Sequence, residues 1–336
     1  MKTEILGTDG ASLDRAAELL TGGEVVAVPT ETVYGLAANA FDENAVRRIF
    51  EAKGRPADNP LIVHIADIAE LEKLSPCVPD IAYRCAEAFW AGPLTMILPK
   101  RDKIPSVTSG GLDTVGIRMP ADTTARAIIK RCGFPLAAPS ANLSGSPSPT
   151  TFRHVYDDMN GRISAIVDGA DSSVGVESTV ICFDDNKIRV LRPGFISPEE
   201  LSGIADTVID KGVLEQLGED AVVRSPGMKY KHYAPKADVT IIDSDRDSFR
   251  HYVRKNLTEG MMLLVFSKDD CEGLDADFIE YGETAEDQAK KLFTCLRTLD
   301  ELGAERVLAR CPEKSGVGLA VYNRLLRAAG FKVVKL

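Results

Sequence analysis

Hydrophobic positions between Glu24 and Gly194 follow two alternating rhythms. Short β-rich runs fall near Glu24–Val28, Leu61–Ala66, Leu94–Leu98, Thr114–Met119, Leu136–Ala138, Ala165–Asp168, Ser178–Phe183 and Ile188–Leu191. Amphipathic stretches of helical spacing separate them. In Glu43–Lys53, Asp42 stands at the N-cap position and Val46, Ile49 and Phe50 share one face, which predicts a helix. A second helix is predicted to start after Asp122. Strands and helices alternating in this way predict a mixed α/β sheet domain.

Ser197-Pro198-Glu199-Glu200 carries a hydroxyl at the N-cap, proline at the first helical position and glutamate three residues after the cap, so a helix starts there and the first domain closes near residue 208. Arg224 to Pro235 is rich in Pro, Gly, Lys and aromatics with little hydrophobic period, the pattern of an interdomain linker. After Asp238 the order is strand Val239–Asp243, helix Ser248–Leu257, strands Met261–Phe266 and Phe278–Tyr281, helix Ala285–Leu302, strand Arg306–Ala309, helix Gly318–Ala329 and strand Lys332–Lys335. That order predicts a small parallel α/β domain of Rossmann-like type. The expected plan is a domain over 1–208, a linker over 209–237 and a second domain over 238–336.

Length agrees with this division, since 336 residues exceed the roughly 250–300 at which single cores stop growing. Met1–Gly10 carries Lys2, Glu4 and Asp9 and reads as no signal peptide, and the longest apolar run, Met261–Phe266, falls far short of the ~20 residues that span a bilayer. A cytoplasmic protein without a membrane partner is expected. The seven cysteines never form a Cys-x-x-Cys pair and the four histidines are widely spaced, so neither a disulfide framework nor a protein-bound metal is expected. A net charge of -10 argues against a broad phosphate-binding face and for one small anionic ligand.

Neither of the two commonest nucleotide-binding glycine loops is present. Instead, polar clusters stand at the ends of predicted strands, where α/β sheets bind ligands. Thr30, Thr32 and Tyr34 follow the first strand, placed either for ligand contact or for turn capping. Lys53 and Arg55 lie on a loop stiffened by Gly54, Pro56 and Pro60, either converging on a polyphosphate or forming a solvated helix end. His64 alternates with Ile62 opposite Leu61, Val63 and Ile65, as a cleft residue or a satisfied core histidine. Arg118 lies opposite Val115, Ile117 and Met119, and Gly116 on its own face suggests a guanidinium reaching into a cleft to grip a carboxylate; a structural ion pair is the competing reading. Pro139–Ser148 offers hydroxyls, an amide and backbone N–H groups suited to phosphate oxygens, a composition that an ordinary surface loop shares. With Glu177–Val180 and Leu191–Gly194 the inventory holds no nucleophile dyad, and it favours phosphoryl or nucleotidyl transfer by positioning and electrostatics. Gly316 and Gly318, before the last helix, read as turn and packing glycines.

Six of these motifs occur in order: Pro-Thr-Glu-Thr-Val-Tyr-Gly-Leu from Pro29, Lys-Gly-Arg-Pro-x-x-x-Pro-Leu from Lys53, Gly-Pro-Leu-Thr from Gly92, Pro-Ser-Ala-Asn-x-Ser-Gly from Pro139, Glu-Ser-Thr-Val from Glu177 and Leu-Arg-Pro-Gly from Leu191. Together they resemble the threonylcarbamoyl-AMP synthase family in its long two-domain form. The resemblance covers about residues 10–208, extends to Ser225–Pro235 and is fainter over the last hundred residues.

It implies an open twisted mixed sheet of the YrdC-like kind around a positively charged cavity. It also implies synthesis of L-threonylcarbamoyladenylate from L-threonine, bicarbonate and ATP with release of pyrophosphate, Mg2+ arriving with ATP. The product would pass to a tRNA threonylcarbamoyl transferase complex that modifies the position next to the anticodon, without stable direct tRNA binding by this chain. Carried over by position, Thr32, His64, Arg118, Ala138 and Ser178 would contact threonine. Arg55, Asn59, Thr114, Ser140, Asn142, Ser148, Arg192 and Tyr233 would contact ATP, with Lys53, Arg55, His64 and Arg118 as the catalytic set. The linker, with Tyr233 and His232, would cover the cavity. Competing readings are an RNA-binding module without catalysis and a carbamoyl-transfer domain of the hydrogenase-maturation kind, although the latter adds zinc-finger cysteine pairs and an acylphosphatase domain not visible here.

Overall fold

The computed structural model describes residues 2–56, 59–215 and 233–336. The chain divides into one unit of Met1–Ser144 and Ser148–Lys229 and another of Gly145–Pro147 and Tyr230–Leu336. The first is built on strands β1 (Glu4–Leu6), β2 (Val26–Val28), β3 (Gly35–Asn39), β4 (Ile62–His64), β5 (Leu94–Pro99), β6 (Thr114–Arg118), β7 (Leu136–Ala137), β8 (Ala165–Val167), β9 (Thr179–Asp184), β10 (Lys187–Arg192) and β11 (Thr207–Ile209). They form one sheet in the order β1-β8-β2-β3-β7-β4-β6-β5-β9-β10-β11. Its pairing is mixed: β4 runs parallel to β6 and β5 to β9, whereas β5 opposes β6 and β9 opposes β10.

Local chemistry sets the helix ends. The Asp42 carboxylate accepts from the N–H groups of Asn44 and Ala45, and helix Glu43–Lys53 stops at Gly54, whose φ of 61° is left-handed. Asp122 caps Thr123–Cys132 through the Ala125 N–H, and Ser197 forms the expected capping box with Glu200, though that helix runs only from Pro198 to Ser202.

Alternation along the central strands gives the sheet two unlike faces. Val63, Leu94, Met96, Leu98, Val115, Ile117 and Ile181 all enter the main hydrophobic core, together with Val46, Ile49 and Phe50 of helix Glu43–Lys53. The other face carries Ile62, His64, Thr95, Ile97, Thr114, Gly116, Arg118 and Val180, aligned by the register pairs Ile62↔Gly116, His64↔Arg118, Ile97↔Gly116 and Thr95↔Val180. Nearly all the polar groups of the central strands thus share one surface.

Four elements of this unit carried too weak a signal in the sequence. Strand β3 is Gly-Leu-Ala-Ala-Asn, without a β-branched or aromatic residue, and is held by antiparallel pairing to β2 and β7. Strand β1, only three residues long, pairs with β8, and helix Gly10–Thr21 follows, capped by Asp9. Strand β11 pairs with β10 and carries the sheet to Ile209, one residue past the expected domain end; a short 3-10 turn follows at Lys211–Val213. Residues 216–232, most of the expected linker and His232 with it, lie outside the described residues.

The second unit contains β12 (Asp238–Asp243), β13 (Met261–Val265), β14 (Asp277–Glu280), β15 (Arg306–Arg310) and β16 (Val333–Lys335), ordered β14-β13-β15-β12-β16 and parallel throughout. Helices Arg246–Asn256, Ala285–Glu301 and Gly318–Ala328 supply crossovers, as the parallel connections require. Ala289, Leu292, Cys295, Leu296 and Leu299 are buried, the packing role that their spacing indicated. This is the Rossmann-like plan read from the sequence.

Candidate active site

Arg118 ends β6 on the polar face of the sheet, and its side chain is 5% exposed. Its Nε donates to the Gly92 carbonyl at 3.3 Å, Nη1 to Thr32 Oγ1 at 2.8 Å and Nη2 to Glu31 Oε1 at 2.6 Å. Among the described residues, five N–H bonds less these three leaves two for another acceptor. Both sequence readings of Arg118 therefore coexist: it forms a buried ion pair and keeps donor capacity. Gly116 serves a different purpose from the expected one. A Cβ there would stand 3.2 Å from Ile97 Cδ1 and Thr95 Cγ2 and 3.5 Å from Ile62 Cγ1, so the glycine makes room for neighbouring strands rather than for the guanidinium.

The hydroxyls after β2 divide between capping and the site. Thr30 Oγ1 donates to the Val33 carbonyl at 2.6 Å, so the hydrogen in its 2.9 Å contact with Thr32 belongs to Thr32, which accepts from Arg118 in turn. Thr30 is thus a turn cap, and Thr32 a site residue wired to the arginine. Tyr34 is not placed for ligand contact: fully buried, it donates to the Gly169 carbonyl at 3.0 Å. Burial, foremost, pushes its hydroxyl pKa well up.

His64 ends β4 with 6% exposure, and among the described residues neither ring nitrogen has a hydrogen-bond partner. The satisfied core histidine is therefore not what is observed. Burial first, then the Arg118 charge, lowers its pKa to about 3, so the imidazole is neutral near pH 7. Beside it lies a cavity of about 10 Å³ lined by Val28, Thr30, Ala37, Pro120, Ile129 and Ala138 among others, space for one small group. Ala138 already spends its N–H on the Ile62 carbonyl at 2.9 Å, which leaves its methyl and carbonyl for other contacts.

Lys53, the last residue of its helix, is 3% exposed and points into the loop after β7. Its ammonium donates to the carbonyls of Ser140 and, at 2.6 Å, Asn142, and lies 3.4 Å from Asn142 Oδ1. Ser140 Oγ donates to that Oδ1 at 2.5 Å. Lys53 therefore holds the loop in place rather than converging with Arg55 on one ligand. Arg55 Nη2 lies 3.4 Å from the Asn59 carbonyl, and Asn59, 4% exposed, keeps a buried Oδ1 without a partner among the described residues.

Further along the same face, Ser178 Oγ contacts Thr95 Oγ1 at 2.7 Å, and Arg192 reaches the Ser178 carbonyl from Nη2 at 3.0 Å and Nε at 3.2 Å. Ser148, wholly buried, donates to Glu177 Oε1 at 2.5 Å. Thr114 lies apart from Arg118 at the far end of β6, on a groove of about 530 Å³ that Ile97, Leu191 and Cys182 also line. Tyr233 belongs to the second unit, where its ring lies 5.3 Å from that of Phe293.

Sequence reasoning did not assign roles to Glu31, Thr95, Glu177 or the Gly92 carbonyl. Glu31 and Glu177 were within reach of it, since each is a lone carboxylate beside the hydroxyls of a quoted motif; Thr95 and Gly92 depend on strand register. Among the described residues, no three His, Cys, Asp or Glu side chains could together hold a metal ion, and no helix is long and apolar enough to cross a membrane.

A family model described as telomere recombination matches residues 18–194, and one described as threonylcarbamoyl-AMP synthase, C-terminal domain, matches 196–330. Threonylcarbamoyl-AMP synthase of Pyrococcus abyssi is 46% identical over 327 residues, covering 96% of this chain and 95% of its own. That of Bacillus subtilis is 45% identical over 340 residues, covering 99% and 97%. Among solved structures, P. abyssi Sua5 complexed with L-threonine superposes with a TM-score of 0.93 at 43% identity, covering 99% of this chain and 100% of that one.

Proposed function

Because this chain belongs to the threonylcarbamoyl-AMP synthase family, we propose that it condenses L-threonine, bicarbonate and ATP into threonylcarbamoyladenylate on the polar face of its first unit. The reaction class is nucleotidyl transfer. The threonine amine takes up bicarbonate as a carbamate with loss of water; the carbamate oxygen attacks the α-phosphorus, and the P–O bond to pyrophosphate breaks. Mg2+ enters as part of the ATP substrate.

The observation that carries the reading is the pairing of Arg118 with His64: among the described residues, a buried guanidinium with two N–H bonds to spare stands in register with a buried neutral imidazole whose ring nitrogens have no hydrogen-bond partner. The arginine suits the substrate carboxylate, while His64 offers one N–H and one lone pair to the hydroxyl and amine. Held near pKa 3, it orients the substrate and is a poor proton acceptor. The cavity beside His64 and Ala138 fits the substrate methyl.

ATP then extends toward Thr114, four residues from Arg118 on the same strand face and so about 13 Å away at the usual rise. Arg55 and Arg192 neutralise phosphate charge, and the loop held by Lys53 presents Ser140 and Asn142. The activity belongs in the cytoplasm, its product passing to a tRNA-modifying transferase. A net charge of -10 favours this over an RNA-binding module.

Calorimetric titration tests the amino-acid site. L-Threonine should bind at least tenfold more tightly than L-serine, which lacks the methyl; equal affinities would remove the cavity assignment.

A further inference from the structure

We infer that Glu31 is a positioning residue for this reaction, acting through Arg118 on the amino-acid substrate. The inference rests on the reading of Arg118 as the carboxylate anchor. Glu31 is 9% exposed and supplies the sole carboxylate that pairs with Arg118 among the described residues. Its Oε1 accepts from Arg118 Nη2 at 2.6 Å, and its Oε2 lies 3.4 Å from the backbone N–H of Asp122.

Its own backbone is pinned from both sides. The Glu31 carbonyl accepts from the Val174 N–H at 2.8 Å, and the Thr30 carbonyl accepts from Ser172 Oγ at 3.0 Å. Burial alone would raise the carboxyl pKa, but the Arg118 charge, the Ala121 backbone and the hydrogen bond from Arg118 together bring it below the ordinary glutamate value. Glu31 is thus a fixed anion on a fixed frame.

Gly92, Thr32 and Glu31 together engage all three guanidinium nitrogens and so determine where the spare N–H bonds point. The first two are neutral acceptors. Glu31 contributes the charge-assisted contact and is the strongest of the three constraints on the plane of the fork. Without it the guanidinium can turn about its last torsions, and a carboxylate then meets a misdirected donor pair. An ATP contact at the far end of β6 would be unaffected.

The test compares Glu31→Ala, Glu31→Gln and the unaltered protein, with KM measured separately for L-threonine and ATP. Glu31→Ala is expected to raise the threonine KM at least tenfold while the ATP KM stays within twofold. Glu31→Gln, which keeps an acceptor, should raise the threonine KM about threefold. Placed on an Arg118→Lys background, Glu31→Ala should change threonine affinity by less than a further threefold, read by calorimetry. A threonine KM within twofold of the unaltered protein, or equal rises in both KM values, would overturn the inference. If Glu31→Ala does not fold, Glu31→Gln decides alone: an unmoved threonine KM counts against the role. If the unaltered protein releases pyrophosphate without needing threonine, the proposed function itself falls, a result distinct from failure of Glu31.

Discussion

His64 and Arg118 stand in register on adjacent parallel strands, and the two side chains project from the same face of the sheet. Among the described residues the arginine is engaged on all three nitrogens, whereas the histidine is hydrogen-bonded on neither. Burial of the imidazole, reinforced by the neighbouring cation, disfavours a second positive charge there.

Stability should report that neutral imidazole. Its folded pKa of about 3 lies below the ~6.5 of an unfolded histidine, so between those values the unfolded chain binds a proton that the folded chain does not. Stability at this site is full above about pH 6.5 and falls as pH drops, by up to ~1.4 kcal/mol per pH unit. Glu31, with its lowered pKa, adds a further loss only at lower pH. His64→Gln should flatten the decline between pH 6 and 4.5 in denaturant titrations; an unchanged slope would mean that His64 is not the group responsible.

Arg118→Lys keeps the charge but removes the planar fork. Threonine affinity should fall by about 2–3 kcal/mol, roughly a hundredfold, because a charge-assisted bidentate contact is lost. ATP affinity, measured with a fluorescent analogue, should change less than threefold.

Lys53→Met removes an ammonium that donates to the carbonyls of Ser140 and Asn142. The expected cost is about 1–3 kcal/mol of stability. The ATP KM should rise several-fold with little change for threonine, since the loosened loop serves the nucleotide. The reverse pattern would place Lys53 on the amino-acid side.

Gly194→Ala has no room. The added Cβ would lie 2.2 Å from the Thr179 amide nitrogen and 2.6 Å from the Ser178 carbonyl carbon, where backbone must move. A loss of about 1–3 kcal/mol or more is expected, seen as a lower melting temperature. Activity per folded molecule should fall too, because Ser178 and Arg192 shift together.

Much of this could be read from the chain because its signals are local. Asp42 and Gly54 bracket a helix, Ser197 and Glu200 form a capping box, and the parity of β4 and β6 put His64 and Arg118 opposite the core residues Val63 and Ile117. What stayed hidden depends on contacts distant in sequence. Strand β3 consists of residues with little strand preference and exists through its neighbours. Lys53 resembled a phosphate ligand because nothing local shows that the loop at residues 140–142 folds back onto it. Gly116 marked the right strand for the wrong reason, since its neighbours Thr95, Ile97 and Ile62 lie on the two flanking strands, 19 or more residues earlier in the chain. The pairing of Glu31 with Arg118, 87 residues apart, could be seen only once the sheet was assembled.

The most direct measurement is pyrophosphate release from magnesium ATP, with L-threonine and bicarbonate each omitted in turn and serine substituted in parallel. Release is expected only when both co-substrates are present, with serine a poor replacement. Release indifferent to both would contradict the synthase assignment and return the polar face of the first unit to a binding role.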